Sequence, residues 1–554
     1  MRRLALLITL PLAAGLADWA TLPSGDGRRD RSQTASTRPT YANPVMPGDF
    51  PDPSVIRVGR DYWATATTSQ WAPIFPLLHS TDLVNWEVRG AVFQTPPSWS
   101  AGSYWAPEIA ADAGRFCVYY TSRKKDGPPS TLLGGTLSQS KGPLCVAVAD
   151  AAGPQGPYTD RGPLVCQEAG SIDAAPVRDE NGRRYLVWKE DGNSRKLPTP
   201  LWAQPLSDDG LRLVGEKTEI LRNEAPWEAH LIEGPYILRR GDWFYIFYSA
   251  DACCGRRCNY KLGVARARKL LGPWERNTGN PILAGNEQWK CPGHGTVVQD
   301  QAGRTYLLYH AYEASTFEFV GRQALLDEVT WNADGWPAIN GGKGPSGSAA
   351  SPSRAAQRRA PGVIEDDFST AAIDPRWQWP WDQRSAPIID PGRGGWLRLT
   401  TGTASTAIAA RPTRGANYTA TTVVEIASIA SGARAGLAAF GNRDNALAVT
   451  VGRDKGETAG GPLTVVVWQV QKGERRTLAT TQVPDTPLLH LRLSASDRTR
   501  FEFAVSPDGR TWTSVGGGEG EYLPPWDLAV RVALLVTGQP TSSARFGAFR
   551  LESL

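Results

Sequence analysis

Three carboxylates stand in settings that differ enough to divide an acid–base task. Asp52 lies between Pro51 and Pro53, Asp173 between Ile172 and Ala174, and Glu233 between the apolar pair Leu231-Ile232 and Gly234-Pro235. Flanking prolines remove backbone donors and stiffen the chain, which suits a general base that must keep one position. The apolar approach to Glu233 predicts partial burial and a raised pKa, which would keep it protonated as a general acid. Asp173 has no partner in its own stretch of sequence; brought near the acid, it would raise the acid's pKa by like-charge repulsion and orient it. Hydrolysis of a glycosidic bond asks for such a set, because the leaving oxygen needs a proton while a second carboxylate activates water or attacks the anomeric carbon.

Residues so far apart in sequence need a scaffold that gathers them, and a repeat supplies one. A Gly-containing turn followed by alternating aromatic and apolar residues recurs five times: Gly59-Arg-Asp-Tyr62, Gly114-Arg-Phe116, Gly182-Arg-Arg-Tyr185, Gly241-Asp-Trp-Phe244 and Gly303-Arg-Thr-Tyr306. A unit of roughly 60 residues has room for four strands and their loops. Upstream of each copy lies one ionisable residue: Asp52, Glu108, Asp173, Glu233 and His294. If each upstream segment is the inner strand of a blade, a five-bladed β-propeller over 40–340 brings all five to the central axis at equivalent places. The Gly, Ser, Ala, Pro and Arg-rich stretch 341–361 reads as a flexible linker. Alternating stretches such as Leu397-Arg-Leu-Thr and Phe501-Glu-Phe-Ala-Val predict a two-sheet β-sandwich over 362–554, so the chain is expected to be all-β.

Composition supports this reading. With 21 Trp, 57 Gly and 43 Pro in 554 residues, short strands and tight turns are favoured over long helices. The net charge of +5, with no run of five or more Lys or Arg, gives no footprint for nucleic acid. Met1-Arg-Arg, an apolar stretch from Leu4 to Leu16 and a small-residue end predict a signal peptide over 1–20, hence a secreted protein, extracellular or periplasmic, with no membrane partner after cleavage. Seven cysteines cannot all pair within one chain, so at least one is free or pairs externally. The group Cys253-Cys254-Gly-Arg-Arg-Cys258 lacks the spacing of zinc knuckles and reads as a disulfide that staples a loop.

Taken in order, Asn43-Pro44, Pro47-Gly-Asp-Phe-Pro-Asp52-Pro-Ser54, His79-Ser-Thr-Asp-Leu-Val-Asn-Trp86, Trp105-Ala-Pro-Glu108, Ser171-Ile-Asp173, Glu233-Gly-Pro235 and Gly293-His294-Gly295 resemble glycoside hydrolase family 43. The resemblance implies an inverting enzyme acting on xylans and arabinans, with Asp52 as base, Glu233 as acid and Asp173 tuning and orienting the acid. It also implies that His294 lies on the propeller axis, where members often hold calcium. No cofactor is required, but a structural calcium bound at His294 is an expectation. Calcium prefers oxygen, so His294 would be an unusual ligand surrounded mainly by waters. Arg322, in Gly321-Arg-Gln, is a candidate donor to sugar hydroxyls. Trp71, Phe75 and Trp105 are placed near the pocket mouth, facing sugar C–H surfaces, and Glu108 joins the ring of substrate contacts. Asp366-Asp-Phe368 and Asp374-Pro-Arg-Trp377 resemble the start of the concanavalin-like sandwich appended to β-xylosidases of that family. That domain either leans on the propeller and shapes the pocket or binds carbohydrate independently, and the linker favours the second.

The expected activity is therefore release of xylose or arabinofuranose from arabinoxylan or from xylo- and arabino-oligosaccharides. Endo-arabinanase or exo-galactanase action on the same fold is one alternative, and a sugar-binding propeller without catalysis is another.

Overall fold

The computed structural model describes residues 21–22, 38–112, 114–126, 142–355, 357–358, 362–383, 385–390, 394–453 and 462–554. The expected signal peptide lies outside them.

Residues 54–339 form five four-stranded antiparallel sheets in chain order. Their first strands are Ser54–Val58, Trp105–Asp112, Ser171–Arg178, Ile232–Arg240 and Trp289–Gln299. Each first strand contacts the next, and the fifth contacts the first, so the ring closes as a β-propeller whose sheets are blades I to V. The aromatic-rich second strands make the packing between blades. Val118 and Tyr120 of blade II join Phe75 and Phe93 of blade I in one buried cluster, and Tyr306 and Leu308 of blade V join Tyr62 and Leu78 of blade I in another.

The C-terminal residues build a sandwich of an eight-stranded and a six-stranded sheet. Its core is lined by Leu437, Val449, Val465, Leu491, Phe503, Val532, Leu534 and Phe546, alternate residues of facing strands.

The segment expected to be a flexible linker behaves otherwise in its described part. Ser348–Ala350 pairs antiparallel with Thr40–Ala42, and Arg304 Nη2 donates to the Pro352 carbonyl at 2.6 Å. The chain is thus tied along the propeller. The expectation of an independent sandwich fails for a related reason. Trp379–Pro380 of the sandwich pairs with Trp71–Ala72 of blade I, Arg531 is buried against Asp49 at 3.2 Å, and its guanidinium lies 4.5 Å from the Trp71 ring centre. Phe319 of the propeller enters the sandwich core.

Candidate active site

Each blade delivers its polar residue by a local distortion. At the top of every first strand one residue has a left-handed backbone: Asp52 (φ 50°), Ala106 (42°), Asp173 (58°), Gly234 (58°) and His294 (43°). In blades II to V the ladder shifts register there, between Trp105 and Glu108, Ile172 and Ala175, Glu233 and Tyr236, and Gly293 and Thr296. Positive φ is costly for residues other than Gly, and bulges re-aim side chains beside active sites. The expected five equivalent places are corrected here. Asp52, Asp173 and His294 occupy the left-handed position, Glu233 precedes it, and Glu108 follows it by two residues, one layer deeper along the axis.

A second ring of side chains supports the first. Thr121, Lys189, Ser249 and His310 lie on the second strands and Thr67 two residues beyond that of blade I, each opposite the residue just before the left-handed one. Four of the five accept the N–H of the next blade's left-handed residue. Ala106 N donates to Thr67 Oγ1 at 2.7 Å, Asp173 N to Thr121 Oγ1 at 3.2 Å, His294 N to Ser249 Oγ at 2.8 Å and Asp52 N to His310 Nδ1 at 3.0 Å. Lys189 cannot accept, because an ammonium only donates. The Gly234 N–H turns instead to Asp173 Oδ2 at 3.0 Å.

Asp52 is held at both oxygens. Arg322 Nη1 lies 3.0 Å from Oδ1, and Thr67 Oγ1 donates to Oδ2 at 2.6 Å. Burial alone would raise its pKa, but the Arg322 charge, aided by His294 at 3.5 Å, overrides burial and holds Asp52 well below the usual carboxylate range. His310 Nδ1 is also 3.2 Å from Oδ1, yet this contact is not an ion pair at neutral pH. That nitrogen accepts the Asp52 N–H, and burial pushes His310 down to about 4.

The opposite corner is arranged differently. Glu233 Oε2 accepts from Lys189 Nζ at 2.7 Å and Oε1 from the Tyr260 hydroxyl at 2.9 Å. Burial opposes ionisation of Glu233, but the adjacent ammonium and the two hydrogen bonds win and lower its pKa. The expected upward shift of Glu233 is thus reversed, because the sequence around Glu233 does not reveal Lys189. The shift goes to Asp173, pushed up to about 7 by burial and by the charge of Glu233, against the lowering influence of His294. Within the pair these influences favour the proton on Asp173 over Glu233.

These groups share one cavity of about 390 Å³, lined by Asp52, Asp173, Glu233, Trp105, Lys189, His294 and Arg322. Trp526 and Asp527 of the sandwich line it too, with Trp526 62 % exposed. Asp527 Oδ2 accepts from Ser69 Oγ at 3.0 Å, and Asp49, which pairs with Arg531, also accepts the Arg322 N–H at 3.3 Å. The disulfide Cys253–Cys254 lies on the same wall. Cys258–Cys291 joins the following loop to the first strand of blade V, Cys145–Cys166 spans blade II and the approach to blade III, and Cys117 is free and buried.

Several expected substrate contacts are placed elsewhere. Trp71 is buried under Arg531 and Phe440 at the domain boundary, and Phe75 is buried among Phe93, Tyr104 and Tyr120, so neither reaches the mouth. Glu108 lies beneath the cavity, where Thr296 Oγ1 donates to it at 3.3 Å and burial pushes it up to about 7. His294 does line the cavity, 3.5 Å from Asp52, which is itself paired with Arg322. Among the described residues no group of three His, Cys, Asp or Glu side chains could hold a metal ion, so a calcium at His294 would have to be held mainly by waters. Thr67, Lys189, Tyr260, His310, Trp526 and Asp527 escaped the reading of the sequence.

Residues 41–337 match Glycosyl hydrolases family 43. The chain belongs to this family. Residues 365–525 match the beta xylosidase C-terminal concanavalin A-like domain. Among curated relatives, a putative β-xylosidase of Escherichia coli is 25 % identical over 524 residues, covering 85 % of this chain and 90 % of that protein. Xylosidase/arabinosidase 43B of Humicola insolens is 28 % identical over 326 residues, 56 % of each chain. The match likewise spans 63 % of a xylan 1,3-β-xylosidase of a Vibrio species, so it covers less than two thirds of both of these relatives. The crystal structure of the family 43 protein BlXynB of Bacillus licheniformis superposes with a TM-score of 0.78 at 25 % identity, over 93 % of this chain and 100 % of that one.

Proposed function

We propose that the chain is a secreted, inverting exo-glycosidase that releases xylose or arabinofuranose from the ends of plant cell-wall oligosaccharides. The observation that carries this reading is the contrast across one cavity between Asp52, which has the Arg322 guanidinium to itself at 3.0 Å and is driven toward its ionised form, and the buried pair Asp173 and Glu233, where the single Lys189 ammonium lies on Glu233 at 2.7 Å and burial raises Asp173. Asp52 takes a proton from a water whose oxygen attacks the anomeric carbon. Glu233, supplied from Asp173, gives its proton to the leaving glycosidic oxygen on the other side. Arg322, already on Asp52, has further donors for sugar hydroxyls, and Trp105 and Trp526 offer aromatic faces. The wall that the sandwich adds with Trp526 and Asp527 supports exo action, since an endo enzyme needs a cleft open at both ends. Relatives named for xylosidase and arabinofuranosidase activity support a pentose. The N-terminal Met1-Arg-Arg and its apolar stretch support export.

The test is a screen of the purified protein on aryl β-xyloside, aryl α-arabinofuranoside, aryl β-galactoside and linear arabinan, with proton NMR of the first-formed anomer. Release of pentose with inverted configuration is expected. Internal cleavage of arabinan, release of galactose, retained configuration, or binding without turnover would each overturn it.

A further inference from the structure

The ring of supporting side chains has one exception, and the exception falls on Glu233. Threonine, serine or neutral histidine at four positions satisfies the backbone N–H of the next blade. At the fifth, Lys189 leaves the Gly234 N–H to Asp173 and reaches past it to the Glu233 carboxylate at 2.7 Å and to Asp191 Oδ1 at 2.9 Å. A lysine only 1 % exposed is costly to bury unless its charge is matched. A hydroxyl would have completed the ring, as it does elsewhere, so packing alone gives no reason for an ammonium here.

From this broken ring we infer that Lys189 is a positioning residue for the acid: it holds Glu233 aimed as a carboxylate in the resting enzyme while Asp173, turned toward Gly234 by the same exception, keeps the proton until a glycosidic oxygen enters. The inference rests on the reading of Glu233 as the acid. The step balances within the site. The carboxyl proton of Asp173 passes to Glu233, Asp173 becomes the carboxylate, and Lys189 stays an ammonium with Asp191 as its remaining partner. Glu233 then gives that proton to the leaving oxygen, water loses one to Asp52, and solvent restores the resting state. The groups acting on this exchange are Lys189, Asp191 and Asp173 from blade III, Tyr260 from blade IV, His294 from blade V and Asp52 from blade I.

Two variants pull the exchange in opposite directions. In Lys189→Met the carboxyl pair loses a neighbouring positive charge and binds its proton more tightly, so the alkaline limb of the kcat/KM profile on 4-nitrophenyl β-xyloside or α-arabinofuranoside moves up by about one pH unit. In Asp191→Asn the pair loses a nearby negative charge and Lys189 is left to Glu233 alone, so the limb moves down by about half a unit. The second variant keeps the buried ammonium paired and is informative even if the first does not fold. The readout independent of turnover is the infrared C=O stretch of buried protonated carboxyls, titrated in the whole protein. Buried Glu108 contributes its own band near neutral pH in every variant; the second component is absent in Asp173→Asn and persists in Glu233→Gln at a lower titration midpoint, since the charge of Glu233 no longer raises Asp173. Limbs that move the same way or not at all, or a second component unchanged in Asp173→Asn and absent in Glu233→Gln, would overturn the inference. A protein that turns over neither substrate would refute the proposed function, while the infrared band would still decide where the proton rests.

Discussion

The two corners of the cavity are equally buried and oppositely biased in protonation. At one, Asp52 meets a guanidinium and a hydroxyl, each on its own oxygen, and the backbone N–H of Asp52 is anchored on His310. At the other, Glu233 meets an ammonium and a phenol, but Asp173 stands close enough to be denied its own charge. Burial pushes all three carboxyls toward the neutral form. His294 favours the charged form of all three, so the remaining cation decides which of them yields: one Arg322 for Asp52, and one Lys189 for Glu233 and Asp173 together. The corners are also joined, since the Tyr260 ring that serves Glu233 stacks on His310, with ring centres 5.7 Å apart and planes at 4°.

This contrast can be broken at the base corner first. Asp52→Ala should lower kcat by about 10²–10⁴-fold on every substrate, whatever its leaving group. Activity near that of the wild type, measured on a correctly folded variant, would end the assignment of Asp52 as base. Arg322→Met should cost about 10²-fold and change the shape of the pH profile. Base activity needs ionised Asp52, whose pKa Arg322 depresses, so the wild type keeps its activity as pH falls through the carboxylate range. Without the guanidinium, kcat/KM should instead fall as pH drops through that range, and an unchanged acid limb would show that Arg322 is not what holds Asp52 ionised. At the acid corner the needed proton is lost as pH rises through the pKa of the pair, so wild-type kcat/KM should decline above about 7, the value to which Asp173 is raised. A profile flat to pH 9 would place the proton elsewhere. The smallest effect is expected from the sandwich. Trp526→Ala removes an exposed aromatic face worth about 1 kcal/mol, so KM should rise by about 5-fold with little change in kcat, and an unaltered KM would exclude Trp526 from substrate contact.

Fold and carboxylates were legible because the propeller writes itself as a repeat. The turn and aromatic strand recur in every blade, so Asp52, Asp173 and Glu233 are recognisable by position without any local motif. The supporting ring was not legible, because each member reaches across to the next blade, although Thr67 also serves the carboxylate of its own. Thr67, Thr121, Ser249 and His310 are ordinary residues on or just beyond a second strand until the ring closes. Lys189 did leave a trace: in Tyr185-Leu-Val-Trp-Lys189 a charge stands near the end of a buried strand, where blades I, II and IV carry a hydroxyl. Trp71 and Phe75 were misplaced because an aromatic side chain packs equally well against a sugar or a neighbouring domain, and only the partner decides. The role of the sandwich was hidden for the same reason, since the composition of 341–361 says nothing of Thr40–Ala42, the strand it pairs with.

The most direct test of the division of labour is the leaving-group dependence of the two single variants. Rates of Glu233→Ala and Asp52→Ala should be measured on 2,4-dinitrophenyl and alkyl glycosides of the sugar that the wild type releases. A dinitrophenolate departs without protonation, so Glu233→Ala should retain much of its rate on that substrate and lose almost all of it on the alkyl glycoside, while Asp52→Ala should fail on both. Equal losses on both substrates in Glu233→Ala, or selective rescue of Asp52→Ala by the better leaving group, would contradict the account.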